Sequence, residues 1–425
     1  MAQERMSRDE IEQLDSIWKA PGFLPTMIAV AAAFGAWALL LPVLPVAVLD
    51  YGGSATLAGL TTGIFMLATV ITQVFTPAML RSIGYRPVMV TSALLLGVPA
   101  LGHIISMEPW AVLLFCAMRG VGFGAITVAE SALVAELIPA RFLGKGTGLL
   151  GVFVGVAQML FLPVGLAIAP QFGYNTVYVV GAVIALIAGV MALRIPSLKA
   201  DPVEPRSTDT SQVHTPMWKL VAVPALALTT LSMSYGVITS FLPSAMREMD
   251  TEAGVVLGGI ILSVVGAASM IVRYGVGIIA DKRGEPGITM IPAQLAGFLG
   301  MVIIVVVMLT GASVWWLVLA AILYGGAFGA VQNESLLSMF HRLPRSQVSN
   351  ASAAWNIFFD GGTGFGSTVL GMVVAASGYP GAFAAGAAII ALGIVMTTID
   401  RMLGKHRVVP HNNIATRLKT VRRRK

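Results

Sequence analysis

Charge is what this chain has least of. Only 11% of its 425 residues are charged and 56% are hydrophobic, whereas soluble domains carry about a quarter charged. With a mean hydropathy of +0.84, that much apolar surface cannot be hidden in one core, and a soluble enzyme is excluded. Cysteine is nearly missing too. The lone thiol, Cys116, leaves no internal disulfide and no multi-cysteine metal site. The five histidines are scattered without ligand spacing, so no metal is expected; His103, inside an apolar run, reads as a packed histidine. There is no Walker A sequence, which removes ATP as the energy source, and no Ser-His-Asp or HExxH arrangement that would support catalysis.

What the chain does have is long apolar runs. Twelve segments can cross roughly 30 Å of hydrocarbon as helices. They lie near 24–48, 55–79, 87–107, 109–138, 145–169, 173–194, 217–245, 253–280, 287–310, 314–340, 349–377 and 380–402. The fold class is therefore all-α integral membrane, with the chain divided six plus six. Around the helical bundles 24–194 and 217–403 lie a leader, 1–23, a polar linker, 195–216, and a basic tail, 404–425. The linker is rich in proline, serine and charge and reads as flexible. In the leader, Ser7 and Glu10 have capping-box spacing, and Ile11, Leu14, Ile17 and Trp18 recur at helical intervals until Pro21. A short helix on the membrane surface is expected there. The polar stretch before the first apolar run argues against a cleavable signal.

All but three of the 27 lysines and arginines fall in the leader, the even-numbered connections, the tail or their edges. The exceptions are Arg119, Arg247 and Arg273. By the positive-inside rule both termini are cytoplasmic. The same bias accounts for the net charge of +7 and needs no nucleic acid.

The halves repeat. "FGAWALLLP" (Phe34–Pro42) answers "YGVITSFLP" (Tyr235–Pro243), Gly84 answers Gly284, "FGA" at Phe123–Ala125 answers Phe328–Ala330, and Pro139 answers Pro344. The offsets stay between 200 and 205 residues. An internal six-plus-six repeat points to a transporter with its site at the repeat interface.

These features together resemble the major facilitator superfamily over essentially the whole chain. Its Gly-x-x-x-Asp-Arg-x-Gly signature after helix 2 is eroded here, Pro77 and Arg81 standing for the glycine and aspartate while Gly84 and Arg86 remain. The echo after helix 8 is the better copy: Gly277, Asp281, Lys282 and Gly284, with Arg273 a turn or two upstream. The resemblance implies gating for both sets. "LFCAMRGVGFGA" is similar to the helix 4 motif of the family's proton-coupled members, and the drug:proton antiporter branch implies proton coupling for Arg119; Gly122 stands where a polar residue is usual, and "WNIFFDGGTGFGS" in helix 11 resembles a pattern of sugar- and drug-efflux relatives. Gly-x-x-x-Gly pairs in helices 2, 5, 8 and 11 (Gly59/Gly63, Gly151/Gly155, Gly254/Gly258, Gly362/Gly366) would, by the same resemblance, lie where the halves slide during alternating access.

A charge in mid-bilayer costs at least about 2.5–3.5 kcal/mol and normally faces a cavity or a partner. Arg119 and Glu130 are eleven residues apart, which puts them within roughly 20° of one face and about 16 Å apart in depth. One wet face of helix 4 is expected. Helix 10 adds Gln332, Asn333 and Glu334; helix 11 adds Asn356 and Asp360, one turn apart. Asp360 and Glu334 read equally as proton carriers or as structural acceptors. Trp37, Tyr235, Phe241 and Trp355 are candidate aromatic lining for lipophilic or cationic ligands. The expected function is proton-coupled export of small amphipathic compounds. It would be carried out by a monomer in the plasma (inner) membrane, whose partners are substrate, protons and lipid, with no cofactor beyond the proton gradient. Uptake of a nutrient or organic anion is the alternative reading, and a non-transporting membrane sensor the second.

Overall fold

The computed structural model describes residues 6–202, 216–249 and 254–403. Most of the linker, the whole basic tail and the Arg247 side chain lie outside the described residues. Among the described residues there is no strand, and eleven helices are long and apolar enough to cross a membrane. They are α1 (Phe23–Asp50), α2 (Ala55–Ser82), α3 (Tyr85–Ile105), α4 (Pro109–Leu137), α5 (Leu143–Phe172), α6 (Tyr174–Ala192), α7 (Met217–Met249), α8 (Gly254–Arg283), α9 (Met290–Thr310) and α10 (Trp315–Arg342), followed by one run, Val348–Leu403. That last run is broken at Gly378; the part before it is α11 and the part after it α12, which makes twelve. α1 bends where Pro42 lacks an N–H to continue the ladder.

Two corners have no loop at all. Gly173 (φ 80°, ψ 161°) is the single residue between α5 and α6, and Gly378 (φ 72°, ψ 180°) turns α11 into α12. Positive φ at such extended ψ is open to glycine alone.

The first compact unit holds α1–α6 with the opening turn of α11, Val348–Ala353; the second holds α7–α10, the rest of α11 and α12. In each unit two helices meet backbone to backbone through glycines. A Cβ on Gly120 or Gly124 of α4 would collide with the Phe65 or Thr69 carbonyl of α2. A Cβ on Gly325 or Gly329 of α10 would meet the Val265 or Ser269 carbonyl of α8 in the same way. Gly35 of α1 abuts the Phe161 ring of α5, and its counterpart Gly236 of α7 abuts the Thr363 carbonyl of α11. Small residues permit this approach where hydrocarbon gives no hydrophobic drive between helices. Gly258, Gly362 and Gly366, expected at the sliding contact between halves, instead seat α8 and α11 against α7 within the second unit.

The leader differs from its expected form. Its capping box is present: the Ser7 amide donates to Glu10 at 2.6 Å and Glu10's amide donates back to the Ser7 hydroxyl. The helix nevertheless stops at Gln13, and Ile17–Lys19 forms a separate turn capped by Ser16. Arg141 donates to the carbonyls of Glu12 and Leu14, and the Ala140 amide donates to the Glu12 carboxylate, pinning the leader to the α4–α5 connection. The start of the linker is not loose either. Ala200 donates to Leu80 and Tyr85 donates to Leu198, at 3.1 and 2.9 Å, while Lys199 donates to the Ser82 carbonyl. Residues 195–200 form a strap along the α2–α3 turn.

Candidate functional site

Each unit carries a column of aromatic rings that ends at a buried arginine. In the first, Trp37 of α1 stacks on Phe123 of α4 (4.9 Å, 18° between planes), and Phe123 meets Phe65 of α2 at 5.4 Å. The Arg119 guanidinium lies over the Phe65 ring at 5.7 Å. Arg119 is 2% exposed. Its Nε donates to the Leu96 carbonyl of α3 at 3.1 Å, and among the described residues it has no acidic partner. Gly122 lets α3 come this close: a Cβ there would lie 2.5 Å from the Ser92 carbonyl.

In the second unit Tyr235 of α7 stacks on Phe328 of α10 (4.3 Å, 16°). Phe328 stacks on Phe359 of α11 (5.9 Å), and Phe359 on Trp355 (5.2 Å, 5°). Arg273 of α8 lies over the Trp355 ring at 5.7 Å and donates from Nη1 to Gln332 Oε1 at 2.7 Å. The Trp355 indole N–H donates to the Gln332 carbonyl at 3.0 Å and to the Ser335 hydroxyl at 2.9 Å. Arg273, Gln332 and Trp355, expected in three different roles, are one cluster. Arg273 was grouped with Asp281 from the signature; eight residues along a helix separate them by about 12 Å, and its named contacts run to α10 and α11 instead.

Other expected site residues fall elsewhere. Glu334, 1% exposed, accepts from the Gly287 amide and from the amide and hydroxyl of Thr289. Its carboxylate thereby ties α10 to the α8–α9 loop. Gly84 and Arg86 hold the strap: the Gly84 backbone lies against Leu198, and Arg86 Nε donates to the Ile195 carbonyl at 2.6 Å. Within the first unit Arg81 donates to Asn350 at 3.1 Å. Gly284 ends α8 in a left-handed cap, its amide bonded to Ala280, while Lys282 is exposed. Phe241 lies apart from the column, 6.4 Å from the Tyr379 ring. Glu130, Asn333 and Asn356 are buried and Asp360 half-buried. Every residue of α4 from Gly122 to Val134 is buried, as is every residue of α10 from Tyr324 to Phe340. His103 is packed between Phe115 and Tyr178. Among the described residues no cluster of His, Cys, Asp and Glu could hold a metal.

Reading the sequence for charges missed Phe65, Phe123, Phe328 and Phe359. The signal was there, since Phe123 and Phe328 are the phenylalanines of the duplicated "FGA".

An all-helical, twelve-span chain with a duplicated half has the architecture of a membrane transporter. A model of the Major Facilitator Superfamily matches residues 26–363, and the chain belongs to that superfamily; it is a transporter, not an enzyme. Among curated relatives it is similar to the human MFS-type transporter SLC18B1, at 25% identity over 261 residues. The match takes in 58% of this chain and 54% of that one, about half the relative's length. Solved structures with the same fold include the proton:xylose symporter XylE (TM-score 0.72, 13% identity, 89% of this chain and 95% of that one). The human organic anion transporter MFSD10 gives 0.70, 16%, 88% and 98%. The E. coli fucose:proton symporter FucP gives 0.68, 17%, 89% and 97%.

Proposed function

We propose that this transporter exports small amphipathic compounds against protons, and that the best-matched class is an apolar or aromatic molecule bearing one acidic group. The observation that carries this reading is Arg119, a fully buried guanidinium with no carboxylate partner among the described residues. An arginine keeps its charge in a protein, and a buried charge is normally paired. A substrate anion supplies the missing partner while the ring column beside Arg119 takes the apolar part. Asp360 and Glu130 are the proton-carrying candidates, and Glu334 is a loop anchor. That MFSD10 is an organic anion transporter agrees with the class. The helix 4 motif favours export from a cell whose cytoplasm faces both termini. Proton-driven uptake of an organic anion is the second reading, since the same arginine serves it.

Everted vesicles with an imposed pH gradient test both. Collapse of the gradient by lipophilic acids, only where the transporter is present, supports exchange. Uptake that dissipates an inward gradient in right-side-out cells, with no response in everted vesicles, supports import. Response to lipophilic cations alone overturns the anionic class.

A further inference from the structure

At one end of the second unit, α7, α9, α10, α12 and the α8–α9 loop enclose a cavity whose lining includes Ser338, His341, Arg342, Thr397, Asp400 and Arg401. Arg342 is already committed. Its Nη2 pairs with Asp400 at 2.5 Å and its Nη1 donates to the Leu220 carbonyl at 3.1 Å. Other donors remain. Ser338 is 5% exposed and lines the cavity, yet its hydroxyl has no partner among the described residues, whereas Ser335 one turn earlier bonds back to the Gln332 carbonyl. Arg401 and His341 also line the cavity and have no hydrogen-bond partner among the described residues. With two arginines against one aspartate the lining is net positive. Met290 opens the 21-residue α9 at the same wall, so the positive end of that helix adds to the field.

The cavity lies where spanning helices end. α10 stops at Arg342, and α7 begins at Met217 with Trp218, 65% exposed, under the Lys219 ammonium at 5.4 Å. An exposed tryptophan beside a lysine at a helix end is the pattern of the membrane–water boundary.

We infer that this cavity seats the phosphate of an anionic phospholipid, held by Arg401, Ser338 and His341. The bound headgroup braces Gly287, whose amide Glu334 already holds, one turn before Ser338 on α10. Basic pockets between spanning helices are suited to such headgroups.

The test is a titration of the full chain in detergent with phosphatidylglycerol, phosphatidylcholine or inorganic phosphate, counting bound molecules by native mass spectrometry and following thermal unfolding. Phosphatidylglycerol is expected to bind and raise the midpoint, and phosphatidylcholine, whose phosphate carries its own cation, to do neither. Arg401→Gln and Ser338→Ala should each weaken binding, Arg401→Gln by about tenfold, the value of one charge-assisted hydrogen bond, while Arg401→Lys keeps most of it. Equal binding of both lipids by the wild-type chain overturns the proposal without recourse to any variant. So does unchanged binding in the double variant, and so does millimolar phosphate displacing the lipid completely, which would mark a site for a soluble anion.

Discussion

In the first unit the rings run Trp37, Phe123, Phe65 and end under an arginine of α4; in the second they run Tyr235, Phe328, Phe359, Trp355 and end under an arginine of α8. The glycine seats and the central phenylalanine sit at matched positions, so packing has been kept through the duplication. The polar parts have not. Arg119 is tied to a backbone carbonyl, whereas Arg273 is tied to Gln332, which also accepts from Trp355. The scaffold is repeated while the partners of the two cations have diverged, a backbone carbonyl in one unit and a side-chain amide in the other.

The strongest challenge to that comparison is steric. Gly124→Val and Gly329→Val each drive a side chain into the carbonyl of the neighbouring helix; overpacking of this kind costs about 1–3 kcal/mol or more. Neither variant should give monodisperse protein on size-exclusion chromatography, whereas Gly266→Val, which faces open space, should. Normal yield from one of the pair alone would show that the seats are not equivalent. Next come the cations. Arg119→Gln should fold normally and lose at least about tenfold in transport, the worth of one charged contact. Arg273→Gln should lose transport and also about 1–3 kcal/mol of stability by opening the Gln332–Trp355 cluster. Identical behaviour of the two would erase the contrast.

Glu334→Gln is expected to lower thermal stability by about 1.5 kcal/mol, as one charge-assisted bond to the loop weakens, and to leave the pH profile of transport in place. Asp360→Asn should flatten that profile. A profile displaced by the Glu334 change instead would return it to the proton carriers. The smallest effect concerns the leader, which has no counterpart among the described residues of the second unit. The Ser7 amide holds the Glu10 carboxyl below its ordinary value of 4.5. Because the folded value is the lower one, the contribution is present above that pH and lost as pH falls through the lowered value. Limited proteolysis between Glu10 and Lys19 should be slow at neutral pH and faster near pH 3.

The spans and the break near Gly378 were legible because hydropathy and glycine act locally. The burial of Arg119 and Glu130 was not, because their spacing pointed to one wet face of α4, whereas both side chains are buried. The strap at 195–200 was not: its anchors are main-chain bonds to Leu80 and Tyr85, and a main-chain bond leaves no residue preference to read. Proline and charge there suggested looseness. Glu334 was hard to place for a related reason, since its partners are two amides and one hydroxyl on a loop 45 and 47 residues away in sequence. Arg273's contacts to Gln332 and Trp355 were not legible, because a signature groups residues by sequence and not by the face a helix turns.

The single-residue corners at Gly173 and Gly378 have a mechanical consequence. One residue can change direction but holds no slack, so α5 with α6, and α11 with α12, work as two bell cranks. The end of neither arm at the corner can be displaced without carrying the end of the other. Spin labels on the two arms of one crank, near its corner, should keep their separation through every stage of a transport cycle, giving a fixed ruler against which all other distances in the moving protein can be measured.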